Sequence, residues 1–239
     1  MLLPLGDDSG EDDHVPYVTY SLIIVNIVAF FLTLFRAGLE RHLDIVTRWG
    51  FTPASPRPET LVTSLFLHAD LVHLFGNMLF LWMFGSTVEW CLGHVGYAAA
   101  YFVTGILGSL ATLVADPSRE IPSIGASGAI SGVLGIYIVA FPHNRIRALL
   151  WIFFSVVVVR VPAWLLLGFW FLYYDLLPIL AGSPLQGGVG HVDHLAGFVA
   201  GVAVALWVKR RTERQAVAAS PAAPGAHRPD SWEKWIPKR

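Results

Sequence analysis

The chain has 239 residues, 55% of them apolar and only 14% charged, with a mean hydropathy of +0.59. That balance lies outside the range of water-soluble domains and marks a protein that crosses a membrane several times. A net charge of −1, with the cations gathered at the ends of apolar runs, excludes a nucleic-acid surface, and the single cysteine excludes an intrachain disulfide and cysteine-based metal motifs. Cys91 reads as a small apolar side chain near a helix end.

Residues 1–16 are acidic and hold no Lys or Arg. The basic start of a secretory signal is therefore missing, and the first span is expected to persist. That span covers residues 17–36. Residues 37–66 mix Arg41, Asp44, Arg48 and Arg57 with Trp49, Pro53, Pro56 and Pro58, too many breakers for a span, and predict an external loop with amphipathic pieces in the interface. The second span, residues 71–87, is entered by His68, Asp70, His73 and Asn77 and closed by Glu89. Polar groups entering from one end predict a wet cavity there. Residues 95–115 and 127–141 form the third and fourth spans, the latter stopping at Pro142.

Residues 148–159 are apolar but too short to cross as a helix, which needs about twenty residues. Hemmed by Arg145, Arg147, Arg160 and Pro162, this stretch predicts an interfacial or half-inserted element. The fifth and sixth spans are residues 164–180 and 192–208, followed at once by Lys209, Arg210, Arg211 and Arg214. The chain thus divides into an acidic segment (1–16), a six-span membrane domain (17–208) and a tail (209–239) that is basic, then Ala/Pro-rich and expected to be disordered. The fold class is an all-α membrane bundle of six helices. Six spans put both termini on one side, and the positive-inside rule makes that side the cytoplasm. Span four then descends from outside, with Ser127 near the outer leaflet and His191 and His194 at the same depth on span six.

The stretch Gly125-Ala126-Ser127-Gly128 sets a hydroxyl among small residues at the mouth of an apolar helix. His194 is followed by Gly197 and Gly201, and positions i, i+3 and i+7 share one helical face. Span four offers a matching small face in Gly128, Gly132 and Gly135, so close packing of the two would bring His194 to Ser127. A hydroxyl needs a base to become a nucleophile, and neutral His194 can take its proton and return it to a leaving amine. The developing oxyanion needs donors. The Ser127 backbone N–H at a helix start suits that need, and His73 and Asn77, four apart on one face of span two, supply two more.

These residues, in order and spacing over residues 17–208, resemble the bacterial rhomboid intramembrane serine proteases. The likeness is carried by His68, His73 and Asn77, by Glu89 with Gly93, by Gly125-Ala126-Ser127-Gly128, and by His194 with Gly197 and Gly201. It implies a six-helix fold, a Ser127/His194 dyad and an oxyanion site from the Ser127 backbone, His73 and Asn77. His68, Glu89, Gly125, Gly128, Gly197 and Gly201 are implied as structural support, and the cavity as opening outward. Substrates are implied to be single-span membrane proteins in the lipid bilayer, cut within or near the span. No cofactor or metal is expected, and a bacterial plasma (inner) membrane is the expected location.

Other readings have less support. A metalloprotease lacks His-Glu-x-x-His, and His191 with His194 lack an obvious third ligand. An aspartyl protease would need a second carboxylate motif beside Tyr174-Asp175; Asp175 is expected to cap the fifth span or face a polar gap. Asp193 is expected to face solvent, since an adjacent helical residue points about 100° away, and His191 to lie at a rim or contact substrate. A transporter would show a repeat of broken spans. The alternative that remains is a catalytically silent rhomboid-like protein that binds membrane helices.

Overall fold

The computed structural model describes residues 2–7, 15–152, 155–181 and 190–219. In chain order these form strand β1 (Leu2–Asp7), helix α1 (Tyr17–Trp49), the short helix α2 (Thr60–Thr63) with a 3-10 turn at Ser64–Phe66, and helix α3 (Leu71–Ala115). Helix α4 (Ser127–Ala140), strands β2 (Arg145–Ile152) and β3 (Ser155–Pro162), helix α5 (Ala163–Phe171), a π-helical turn at Leu172–Leu176, helix α6 (Leu177–Leu180) and helix α7 (His191–Ala219) follow. The protein is mostly helical. Among the described residues four stretches are long and apolar enough to cross a membrane: Tyr17–Leu34, Leu71–Ala115, Ala163–Leu180 and His191–Thr212.

Helix α3 is two legs joined at Gly93, whose φ of 71° only glycine adopts without strain. The chain reverses there. Tyr97 packs back onto Gly85, and His73 and Gly108, roughly 50 Å apart along a straight helix, both reach the level of Gly125–Gly128, Gly108 through Asp193. Helix α1 also departs from a simple rod. His42 bonds Thr33 at 3.0 Å and packs edge-on against Phe30, although nine residues of straight helix would separate Thr33 and His42 by about 13 Å. The loop expected at 37–66 is therefore helical up to Trp49.

The first turn of α1 has no side-chain cap of its own. Its free N–H groups are met instead by Glu89 from α3, which accepts from the Val18 and Thr19 amides at 2.9 and 2.7 Å and from the Thr19 hydroxyl at 2.7 Å. An anionic acceptor at a helix N-terminus is favoured by both the orphan donors and the helix dipole. Glu89 is fully buried and so ties α1 to the first leg of α3.

Helix α4 is the core of the bundle. It has 14 residues and rises about 21 Å, less than the ~30 Å of bilayer hydrocarbon. Nearly every side chain along it is buried, as expected of a helix apolar on all faces. It meets α7 through backbone. A Cβ on Gly197 would collide with the Gly128 carbonyl, one on Gly201 with the Gly132 carbonyl, and one on Gly135 with the Phe198 carbonyl. On another face Gly132 lies against Thr104 of α3.

Two expectations are corrected. The apolar stretch at 148–159, expected as an interfacial or half-inserted element, takes the form of strands, so the fold is not all-α: β2 and β3 pair antiparallel, and β1 adds to β2, giving a three-stranded sheet ordered β1-β2-β3. Its period is two, with Ile146 and Ala148 buried and Arg145 and Arg147 exposed, and its valines are strong strand formers. The base of the hairpin closes through Ala163 N–H to the Asn144 carbonyl at 2.8 Å. Likewise the basic stretch after residue 208 continues α7 to Ala219, and part of the N-terminal acidic segment is β1. The disorder expected in the tail concerns residues that, from 220 on, lie outside the described ones.

Gly201→Leu is expected to lower the unfolding midpoint in detergent by the equivalent of about 1–3 kcal/mol or to prevent assembly, the range for overpacking a tight interface. Val199→Leu, on the exposed side of the same helix, should stay within about 0.5 kcal/mol of wild type; thermal melts of both variants check the pair.

Candidate active site

Ser127 begins α4, and the turn before it is held from three sides. Gly125 has φ 114°, a left-handed conformation that disfavours any other residue, and its N–H donates to the Ser64 carbonyl at 2.9 Å. Ser123 and Phe51 exchange two backbone hydrogen bonds of 2.8 and 3.0 Å. A side chain on Gly125 would run into His73 Nε2, with Asn77 Nδ2 next nearest. The glycine is what lets these two side chains approach the turn. As a first-turn residue, Ser127 presents an N–H that the helix itself does not use.

Across the α4–α7 contact, Ser127 Oγ lies 2.8 Å from His194 Nε2. The other ring nitrogen, His194 Nδ1, lies 2.9 Å from Asp175 Oδ1, and His191 Nδ1 lies 3.3 Å from the same oxygen. Asp175 is buried, as is His191. A hydroxyl, an imidazole and a carboxylate thus form one chain from three different helical segments.

Ser127 and His194 open onto a cavity of about 620 Å³, also lined by His73, Gly76, Asn77 and Trp170. Such a volume suits a ligand of several residues. Asn77 Nδ2 is buried there without a hydrogen-bond partner. An amide donor left unpaired at a cavity wall costs on the order of 1–3 kcal/mol, and an oxygen arriving in the cavity would satisfy it. His73 is set by its own helix start, where its N–H donates to Asp70 Oδ1 at 2.8 Å. Among the described residues no group of three His, Cys, Asp or Glu is arranged to hold a metal ion.

The residues read as support sit behind this wall. His68 is fully buried, edge-on to His73 with ring centroids 5.1 Å apart, and its carbonyl accepts from His42 Nε2 at 3.0 Å. Gly128, Gly197 and Gly201 set the helix spacing, and Glu89 acts from the far end of the first leg of α3, some twelve residues beyond Asn77.

Three readings change. Asp193 does not face solvent: its carboxylate lies between Gly108 of α3 and Gly128 of α4, with Oδ1 buried. Glycine on both neighbours opens a space that a side chain 100° from His194 can still enter. His191 is neither at a rim nor positioned to meet a substrate first, because its ring turns onto Asp175. Of the two settings expected for Asp175, a helix-end cap and a polar gap, the first is not seen, and the carboxylate faces both histidines. The signal for this pairing was the i, i+3 spacing of His191 and His194, which places them on one face, opposite a lone carboxylate in the neighbouring span.

Burial, aided by the nearby His73, pushes the His68 imidazole down from its ordinary 6.5 to about 3. In the unfolded chain it takes up a proton below about 6.5, and in the folded chain it does not until about pH 3. Stability therefore falls as pH drops through this window, approaching about 1.4 kcal/mol per unit well below pH 6.5. Denaturant titrations of wild type and His68→Gln between pH 7 and pH 4.5 should show a shallower loss in the variant.

Comparison with known proteins places these features in context. A family model described as Rhomboid domain matches residues 56–211. Rhomboid protein 1, mitochondrial, of Saccharomyces cerevisiae is 33% identical over 211 residues, covering 84% of this chain and 56% of that protein. Rhomboid protease GluP of Bacillus subtilis is 32% identical over 196 residues, 80% of this chain and 35% of its own. RHOMBOID-like protein 12, mitochondrial, of Arabidopsis thaliana is 32% identical over 215 residues, 82% and 59% respectively. The chain spans less than two thirds of the length of these relatives.

Proposed function

The chain belongs to the rhomboid family, and from that premise we propose that it is an intramembrane serine endopeptidase that cuts single-span membrane proteins within or near the span. The observation that carries this reading is the 2.8 Å contact of Ser127 Oγ with His194 Nε2 at the wall of a cavity. Ser127 Oγ attacks the scissile carbonyl carbon while its proton passes to His194 Nε2. The resulting oxyanion is met by the Ser127 N–H and by the side chains of His73 and Asn77. Collapse of the intermediate breaks the C–N bond, the leaving amine takes the proton from His194, and a water activated by the same imidazole hydrolyses the acyl-serine. The unpaired Asn77 Nδ2 supports its part in this scheme.

A helical substrate offers no free carbonyl, because its own N–H groups occupy them. Small or helix-breaking residues near the scissile bond let the strand unwind and enter the cavity. We assign six crossings, with both termini in the cytoplasm, to this multi-pass protein. Pairing of β1 with β2 supports a shared side for the N-terminal residues and the hairpin after α4. The cations Arg145, Arg147, Arg160, Lys209, Arg210 and Arg211 favour the inner face there. Residues 17–208 are then the catalytic domain, in the plasma membrane of a bacterium.

Fluorophosphonate labelling of the purified protein is expected, and Ser127→Ala should abolish it; a wild-type chain that resists the probe would leave only the helix-binding alternative. His194→Ala should remove cleavage of a transmembrane peptide while the protein stays folded in detergent. For Asn77→Ala, kcat should drop by about tenfold or more if its amide serves the oxyanion, and a rate equal to wild type would assign Asn77 to packing.

A further inference from the structure

A neutral imidazole carries one hydrogen, so His194 Nε2 can accept the Ser127 proton only if that hydrogen sits on Nδ1. An ionised carboxylate is an acceptor alone, and Asp175 Oδ1 lies 2.9 Å from His194 Nδ1. We propose that Asp175 is the positioning residue of this site: building on the protease reading, it holds His194 in the Nδ1–H tautomer and in the plane that faces Ser127. The same oxygen accepts from His191 Nδ1 at 3.3 Å, which braces the carboxylate between two rings. Its charge also balances the imidazolium that forms as Ser127 attacks.

Three observations carry the proposal. An ionisable group within an apolar span is costly unless a partner compensates it, and Asp175 is only 2% exposed. Its hydrogen bonds lead to the two imidazoles. The local backbone is also built for it. Asp175 lies in the π-helical turn at Leu172–Leu176, three residues before Pro178. Pro178 lacks an N–H for the Tyr174 carbonyl four residues back and its ring crowds that carbonyl. The turn ahead of it widens, and a π turn rotates the side chains it carries relative to a regular helix. Asp175 is thereby directed onto α7 and not along the lipid-facing side with Tyr173 and Tyr174, which are exposed.

The test uses the full-length protein and Asp175→Asn, which keeps the size and one acceptor but removes the charge. With a transmembrane peptide that wild type cleaves, kcat should fall by about a hundredfold with KM within about twofold and the melting midpoint unchanged. In protein labelled with ¹⁵N-histidine, the far-downfield Nδ1–H proton of His194 should be present in wild type and lost in the variant. Turnover of Asp175→Asn at the wild-type rate overturns the proposal. So does a fall in activity that comes with a raised KM and a lowered melting midpoint, because that marks a packing role. The proton signal is read without substrate: its absence from wild type refutes the pairing, whereas a wild type that shows the signal but cleaves nothing supports the pairing and defeats only the protease reading.

Discussion

The structure depends on how closely α4 and α7 approach. At Gly135, Gly197 and Gly201 the spacing leaves no room for a methyl group, because backbone carbonyls of the facing helix occupy the position it would take. In a bilayer the apolar side chains gain little by leaving lipid for protein, so helices associate through van der Waals contact and interhelical polar bonds. Glycine faces maximise the first. The bond from Ser127 to His194 supplies the second, and at 2.8 Å it forms only because the axes are this near. Packing and proposed chemistry thus rest on the same glycine contacts.

The polar groups of the bundle follow from the same constraint. Each is expensive in hydrocarbon, and several are buried against a defined neighbour. Glu89 meets the N–H groups at the start of α1, His42 meets Thr33 and the His68 carbonyl, and Asp175 meets two imidazoles. Other buried atoms have no partner, among them the ring nitrogens of His68 and the Ser64 and Ser123 hydroxyls; Asn77 Nδ2 and Asp193 Oδ1 are two more. The former lines the cavity that Ser127 opens onto, which is where an unmet donor is useful.

Much of this arrangement was legible in the chain because the signals were long or repeated. Apolar runs bounded by charges located the membrane helices, and the glycine spacing on two of them pointed to a contact between Ser127 and His194. Features that depend on a neighbour chosen in three dimensions were hidden. Nothing local in residues 148–159 separated a strand of a sheet from an interfacial or half-inserted element, since a short apolar run serves either until its partner is known. The partners of Asp175 and the buried position of Asp193 were hidden for a related reason. A regular helix of 100° per residue fixes direction, but a π turn before Pro178 and two glycines facing Asp193 each alter what that direction meets.

The reversal at Gly93 bears on how the chain enters its bilayer. Two apolar legs, residues 71–92 and 94–115, are joined by one residue in a left-handed conformation, with no hydrophilic connection between them. Neither leg can be threaded and released alone, because the other follows without a polar stretch on which the machinery could pause. The pair is best delivered as a preformed helical hairpin, already zipped by contacts close in sequence such as Tyr97 on Gly85. Local closure of this kind is fast, since little chain entropy is lost. Assembly then begins with a unit that carries His73 and Asn77 at one end and Glu89 near the other, ready to receive the segments made before and after it.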